Sequence, residues 1–176
     1  MVAGGNSKDE SFLANVDIID LDSGHWRATT NLCVPRHRHS ITELNDKIYC
    51  MGGNCLSSVE VFDKDIENWR EIKSMKETRA DFGAATCGNR IFATGGFSGK
   101  YLNTVEAYGP RTGVWKYLSA MKEERSKFGV AVIGNCMFTV GGRSETMSAC
   151  THRVEILDIR TNSWRYGSSL TFAKDF

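Results

Sequence analysis

The chain has 176 residues, of which 22 are Lys or Arg and 21 are Asp or Glu, for a formal net charge of +1. That balance excludes broad electrostatic capture of nucleic acid or of an anionic membrane surface, since both need a cationic excess. With 41% hydrophobic and 24% charged residues there is material for one packed domain, and no apolar run approaches the roughly 20 residues that span a bilayer.

Residues 1–10 lack the basic start and apolar stretch of a secretory signal. Val2-Ala3 runs instead into Gly4-Gly5, and the glycine pair returns as Gly52-Gly53, Gly95-Gly96 and Gly141-Gly142. After each pair comes a valine followed by an acid: Val16-Asp17, Val59-Glu60, Val105-Glu106 and Val154-Glu155. Then follow Trp26, Trp69, Trp115 and Trp164, spaced 43, 46 and 49 residues apart. Six residues past each Trp lies Leu32, Met75, Met121 or Leu170, and four further on Arg36, Arg79, Arg125 or Lys174. Five features in fixed order, four times over, define an internal repeat.

The second copy opens with a turn at Asn45-Asp46 and an apolar run from Ile48 to Met51 that stops at the glycine pair. Ser58–Phe62 carries the Val-acid step, and the polar stretch Asp63–Asn68 leads to a strand opened by Trp69. The third copy places Phe82–Cys87 and Ile91–Thr94 on either side of Gly88-Asn89, and the fourth places Phe128–Ile133 and Met137–Val140 around Gly134-Asn135. Apolar runs separated by two such residues predict hairpins. The small, uncharged first runs predict a strand covered on both faces. Each copy thus predicts four short antiparallel strands, and a sheet of that length repeated radially is a propeller blade. The Trp and Met series is expected in the core.

This pattern resembles the kelch repeat over nearly the whole chain, and Asn103–Tyr108 and Met121–Arg125 look most like the kelch domains of BTB-kelch proteins. The resemblance implies an all-β fold of four-stranded blades, with approximate repeats at 1–34 (incomplete), 35–77, 78–123 and 124–172 and a stub at 173–176. Fifteen strands are expected. Kelch rings close with about six blades, so the expectation is an incomplete ring and a piece of a longer protein, against the competing idea of a small four-bladed ring.

Candidates for chemistry are few. His37 and His39 alternate as strand residues do and could share a metal, but no third ligand recurs beside them. His25 and the Ser144–His152 loop read as solvent-facing. Gly95–Lys100 superficially matches a phosphate loop, yet Tyr101 stands where Ser or Thr would bind the metal and no helix is expected next. No constellation asks for the Tyr, His and modified Cys site of the kelch-like copper oxidases. No cofactor and no catalytic residue is expected. The six cysteines form no CxxC pair and read as buried, reduced small hydrophobes, which with the absence of an Asn-x-Ser/Thr signal points to cytoplasm or nucleus. Arg36, Arg79 and Arg125 either fix neighbouring blades through Glu60, Glu106 and Glu155 or line a binding face, and their strict recurrence favours the first role.

In BTB-type kelch domains partner peptides bind one mouth of the ring. The resemblance carries that role to the residues just after each glycine pair, which are Asn6, Asn54, Phe97 and Arg143. It also carries it to those just after each repeat Arg: His37 with Arg38, Ala80 with Asp81, and Ser126 with Lys127. Such a surface suits an acidic or polar peptide held by Arg forks and an aromatic contact. The implied parent is a substrate-recognition subunit of a cullin-RING ubiquitin ligase, which this chain could not recruit without a BTB region. Actin is the alternative partner that the family implies.

Overall fold

The computed structural model describes residues 1–9, 11–145 and 149–175, and the described residues form strands and no helix. β1 (Val2–Asn6), β2 (Phe12–Ile19) and β3 (Trp26–Ala28) make a three-stranded sheet. The second sheet comprises β4 (Ser40–Leu44), β5 (Lys47–Met51), β6 (Val59–Asp63) and β7 (Asn68–Ile72). The third comprises β8 (Gly83–Cys87), β9 (Arg90–Thr94), β10 (Val105–Gly109) and β11 (Val114–Tyr117). In the fourth, β12 (Gly129–Ile133) and β13 (Cys136–Val140) continue, after an inserted ribbon, into β16 (Val154–Asp158) and β17 (Ser163–Tyr166). Every neighbouring pair is antiparallel, and the strands of each sheet lie side by side in chain order.

The inserted ribbon, β14 (Arg143–Ser144) with β15 (Ala149–Cys150), raises the strand count among the described residues to seventeen, two more than the repeat predicts. It forms because the segment after the fourth glycine pair folds back on itself. Thr146, Met147 and Ser148 of the Ser144–His152 loop lie outside the described residues, as do Glu10 and Phe176 of the expected terminal stub.

The hairpin turns follow from residue chemistry. Asn45 and Asp46 take φ of 53° and 60°, the pair of left-handed residues that a type I′ turn requires. The glycine pairs serve close approach. Gly96 has φ +102°, and a Cβ there would lie 2.6 Å from the Cβ of Phe82 and 2.8 Å from the Ala80 carbonyl oxygen. The second glycine of each pair donates its N–H to the carbonyl of the following repeat cation: Gly5 to Arg36 at 2.8 Å, Gly53 to Arg79 at 2.7 Å, Gly96 to Arg125 at 2.8 Å and Gly142 to Lys174 at 2.7 Å. The backbone repeat therefore persists at the one position where the side chain changes from Arg to Lys.

Burial departs from the sequence expectation in an instructive way. The strands most fully covered are β6, β9, β10 and β16, second or third strands of the later blades, while β8 and β12 are only partly covered and β1 and β2 of the first blade largely uncovered. First strands of successive blades lie beside one another, and alternate residues of β8 pack toward the two neighbouring sheets, Ala84 on the second-sheet side and Ala85 on the fourth.

Three apolar clusters fill the gaps between successive sheets. Phe62 and Trp69 pack with Ala3 and Val16, Tyr108 and Trp115 with Met51 and Val61, and Met137 and Leu157 with Phe92 and Ala107. No cluster joins the fourth sheet to the first among the described residues. Trp69, Trp115 and Trp164 thus pack on the blade before their own, the first two buried and Trp164 half-buried. Trp26, expected in the core, is 54% exposed because no sheet lies on its face of the first blade.

The periodic Arg–Glu pairs close these seams from inside. Arg36 meets Glu60 at 2.6 Å, Arg79 meets Glu106 at 3.1 Å and Arg125 meets Glu155 at 2.7 Å, all six side chains fully buried. Each Arg Nη1 also donates to the carbonyl of the first glycine of its own blade's pair: Gly52, Gly95 or Gly141. Each Glu accepts two backbone N–H groups from the segment leaving the previous blade, Cys33 and Val34, Lys76 and Glu77, or Lys122 and Glu123. A buried ion pair is tolerable when most of its remaining donors and acceptors are met in this way; Nε of Arg36 reaches the Val34 carbonyl, while Nε of Arg79 and of Arg125 has no partner among the described residues. The repeat arginines are seam residues and do not line the face.

Candidate functional site

The segments preceding β4, β8 and β12 meet at one end of the shared centre. Arg38, Asp81 and Lys127 occupy the same repeat position there, with φ of 57°, 50° and 52°. Their main chains form a ladder, with Asp81 N–H donating to the Arg38 carbonyl at 2.9 Å and Lys127 N–H to the Asp81 carbonyl at 3.0 Å. Left-handed backbone at a residue other than glycine costs free energy, and such positions gather at functional sites. The residue after the glycine pair is brought to the residue after the repeat Arg by a two-bond bridge, Phe97 with Ala80 and Arg143 with Ser126.

The result is a depression of about 210 Å³ lined by Arg38, Asp81, Phe97, Ser126, Lys127 and Arg143, which are six of the ten residues nominated from the sequence; a seventh, Ala80, is buried in its bridge with Phe97. Ser126 is buried and the two arginines are exposed. Arg38 pairs with Asp81, its Nε 2.8 Å from Oδ2, and Arg143 pairs through Nε with Asp175.

Three further nominees, Asn6, His37 and Asn54, gather at the junction of the first and second blades. Asn6 pairs with Phe12 across β1 and β2, and the Phe12 ring stacks on His37 at 4.4 Å. Asn54 Oδ1 accepts the His37 N–H at 3.0 Å, a side chain standing in for the backbone bridge of the later blades.

Two residues escaped the sequence reading, one paired with Arg143 and one in the depression itself. Tyr101 lines its wall, edge-on to Phe97 with ring centroids 5.4 Å apart; its position after the Ser98–Lys100 turn was the available signal. Asp175 occupies the slot after the repeat cation, where His37, Ala80 and Ser126 stand in other copies. A larger cleft of about 680 Å³ shares Tyr101 and is edged by Glu77, Glu124, Glu145 and Lys100.

Among the described residues no group of three His, Cys, Asp or Glu side chains could hold a metal ion. Burial, followed by the nearby Arg36 charge, pulls the His39 imidazole down to about 4, so it is neutral at pH 7. All six cysteines are unpaired, but only Cys50 is fully buried, its thiol pushed up to about 12 by desolvation. Cys87, Cys136 and Cys150 are partly covered and Cys33 and Cys55 are exposed, so the expectation of buried small hydrophobes holds for Cys50 alone. Cys87 and Cys136 flank turns at the ends of β8 and β13, where the sheet edge meets solvent.

Comparison with known proteins places this geometry in a family. Residues 1–142 match the model of the KLHDC2/KLHL20/DRC7 Kelch-repeats domain, and residues 124–171 match the Kelch motif. Kelch-like protein 41b of Danio rerio is 34% identical over 100 residues, 54% of this chain and 16% of that protein. Kelch-like protein 28 of Mus musculus is 29% identical over 109 residues, 55% of this chain and 19% of that protein. Kelch-like protein 7 of Rattus norvegicus is 30% identical over 99 residues, 54% of this chain and 17% of that protein. The matches thus span less than a fifth of each relative's length. With its glycine-pair bridges, buried Arg–Glu seams and four radial sheets, the chain belongs to the kelch-repeat family as a protein-interaction module.

Proposed function

We propose that the depression at the mouth holds a peptide segment of a partner protein, and that the chain acts without catalysis as the substrate-recognition part of a BTB-kelch adaptor of a cullin-RING ubiquitin ligase. One observation carries this reading. Loops from separate blades converge on one concavity through side chains that differ from copy to copy, on a backbone that does not. Variation on a fixed frame is what a recognition surface requires. The Phe97–Tyr101 wall supplies the aromatic contact and the cations supply orientation. Six unpaired thiols support a reducing compartment, cytoplasm or nucleus.

The test is affinity purification from cells with the wild-type chain and with Phe97→Ala and Lys127→Ala, followed by mass spectrometry. The expected result is a set of partners depleted by both variants at unchanged melting temperature. Retention of the same partners by all three proteins defeats the assignment of the mouth. Cosedimentation of the wild-type chain with actin filaments, undiminished by both substitutions, would instead favour a cytoskeletal role through another surface.

A further inference from the structure

The three cations at the mouth are not equivalent. Arg38 gives both Nε and Nη2 to one oxygen of Asp81. Arg143 gives Nε to Asp175, whose neighbour Lys174 is tied to the fourth blade through its carbonyl. Lys127 has no carboxylate partner among the described residues. Its N–H is committed to the backbone ladder, while the residue lines the same depression as the Phe97–Tyr101 pair. The hydrogen bond from Arg143 holds the Asp175 carboxyl below the usual carboxylate range, so this internal anion is present at neutral pH.

An Arg fork already engaged by a carboxylate must release it before it can take a ligand's, so the exchange gains little. A Lys without a carboxylate partner gives up only water and side-chain freedom when a carboxylate arrives, with no internal ion pair to break. We propose that Asp81 and Asp175 determine specificity: they occupy Arg38 and Arg143, leaving Lys127 to select a segment with a single carboxylate beside an apolar or aromatic side chain over a segment rich in acids. This rests on the reading of the mouth as a peptide site. It makes the C-terminal segment part of the recognition surface, through Asp175.

The probe is an array of short peptides in a glycine-serine background, each carrying one leucine or phenylalanine and from one to four glutamates. The wild-type signal is expected to be greatest with one glutamate and not to climb with more. The double variant Asp81→Asn with Asp175→Asn is expected to gain roughly three- to tenfold on the glutamate-rich peptides, and Lys127→Ala to lose binding of the single-glutamate peptides. A wild-type signal that climbs with every added glutamate, or a double variant with the wild-type profile, overturns the inference while leaving the peptide site standing. An array on which neither protein retains any peptide overturns the peptide site and this inference together.

Discussion

Arginine meets carboxylate in two regions of this molecule, with opposite consequences. At the blade seams Arg36, Arg79 and Arg125 are fully buried, hold the same repeat position at three successive seams and direct donors to a Glu and to backbone carbonyls. At the mouth Arg38 is 43% exposed and Arg143 is 51% exposed, and each faces an acid that no other copy repeats. Desolvation makes the difference. A buried pair broken on one side leaves a charge without water, whereas an exposed pair broken on one side is simply rehydrated. The seams therefore carry the fold, while the mouth pairs add little to stability and serve to hold Arg38 and Arg143.

That contrast is open to attack by mutation, most forcefully at a seam. Arg79→Met is expected to cost about 3–5 kcal/mol, because Glu106 is left buried with only its two backbone donors. Urea denaturation followed by tryptophan fluorescence measures this, and a loss below 1 kcal/mol would erase the distinction between the two regions. Trp115→Ala should cost a similar ~3–5 kcal/mol, since the indole fills the gap between the second and third blades and donates to the Lys73 carbonyl at 2.9 Å. Trp26→Ala, on the uncovered face, is its control and should cost well under half as much.

His39 lies where seam and mouth meet, and it gives the middle-sized effect. Its folded-state value of about 4 lies below the ordinary 6.5, so the unfolded chain binds the extra proton between these values. Stability is therefore fully present above pH 7 and falls as pH drops through 6.5 toward 4, by about 1–3 kcal/mol. Melting temperatures from pH 7.5 to pH 4.5 should show the decline, and His39→Gln should flatten it. The smallest effect belongs to the mouth. Arg38→Ala should change stability by less than about 1 kcal/mol, and calorimetry showing a larger loss would make that pair a fourth structural ion pair beside the three at the seams.

The sequence declares the blades because the constraints that make them are periodic. Glycine pairs, Val-acid steps and repeat arginines each answer one geometric need that every blade shares. The mouth was legible only in part. Arg38, Asp81 and Lys127 could be nominated by position, but position does not say that Asp81 neutralises Arg38. Tyr101 and Asp175 were missed because each occurs in one copy alone, where periodicity has nothing to compare. Trp26 shows the converse failure: a residue in perfect phase with its counterparts is exposed, since burial depends on a neighbouring sheet that spacing cannot reveal.

The ladder joining Arg38, Asp81 and Lys127 restricts the alphabet available to this surface. A left-handed backbone accommodates unbranched side chains and resists valine, isoleucine and threonine, whose second Cβ substituent collides with the main chain. Kelch mouths built this way can trade charge, length and hydrogen-bonding character at these positions with little disturbance of the loop path. They are barred from β-branched residues there, so diversification of this rim should run through long flexible or short polar groups.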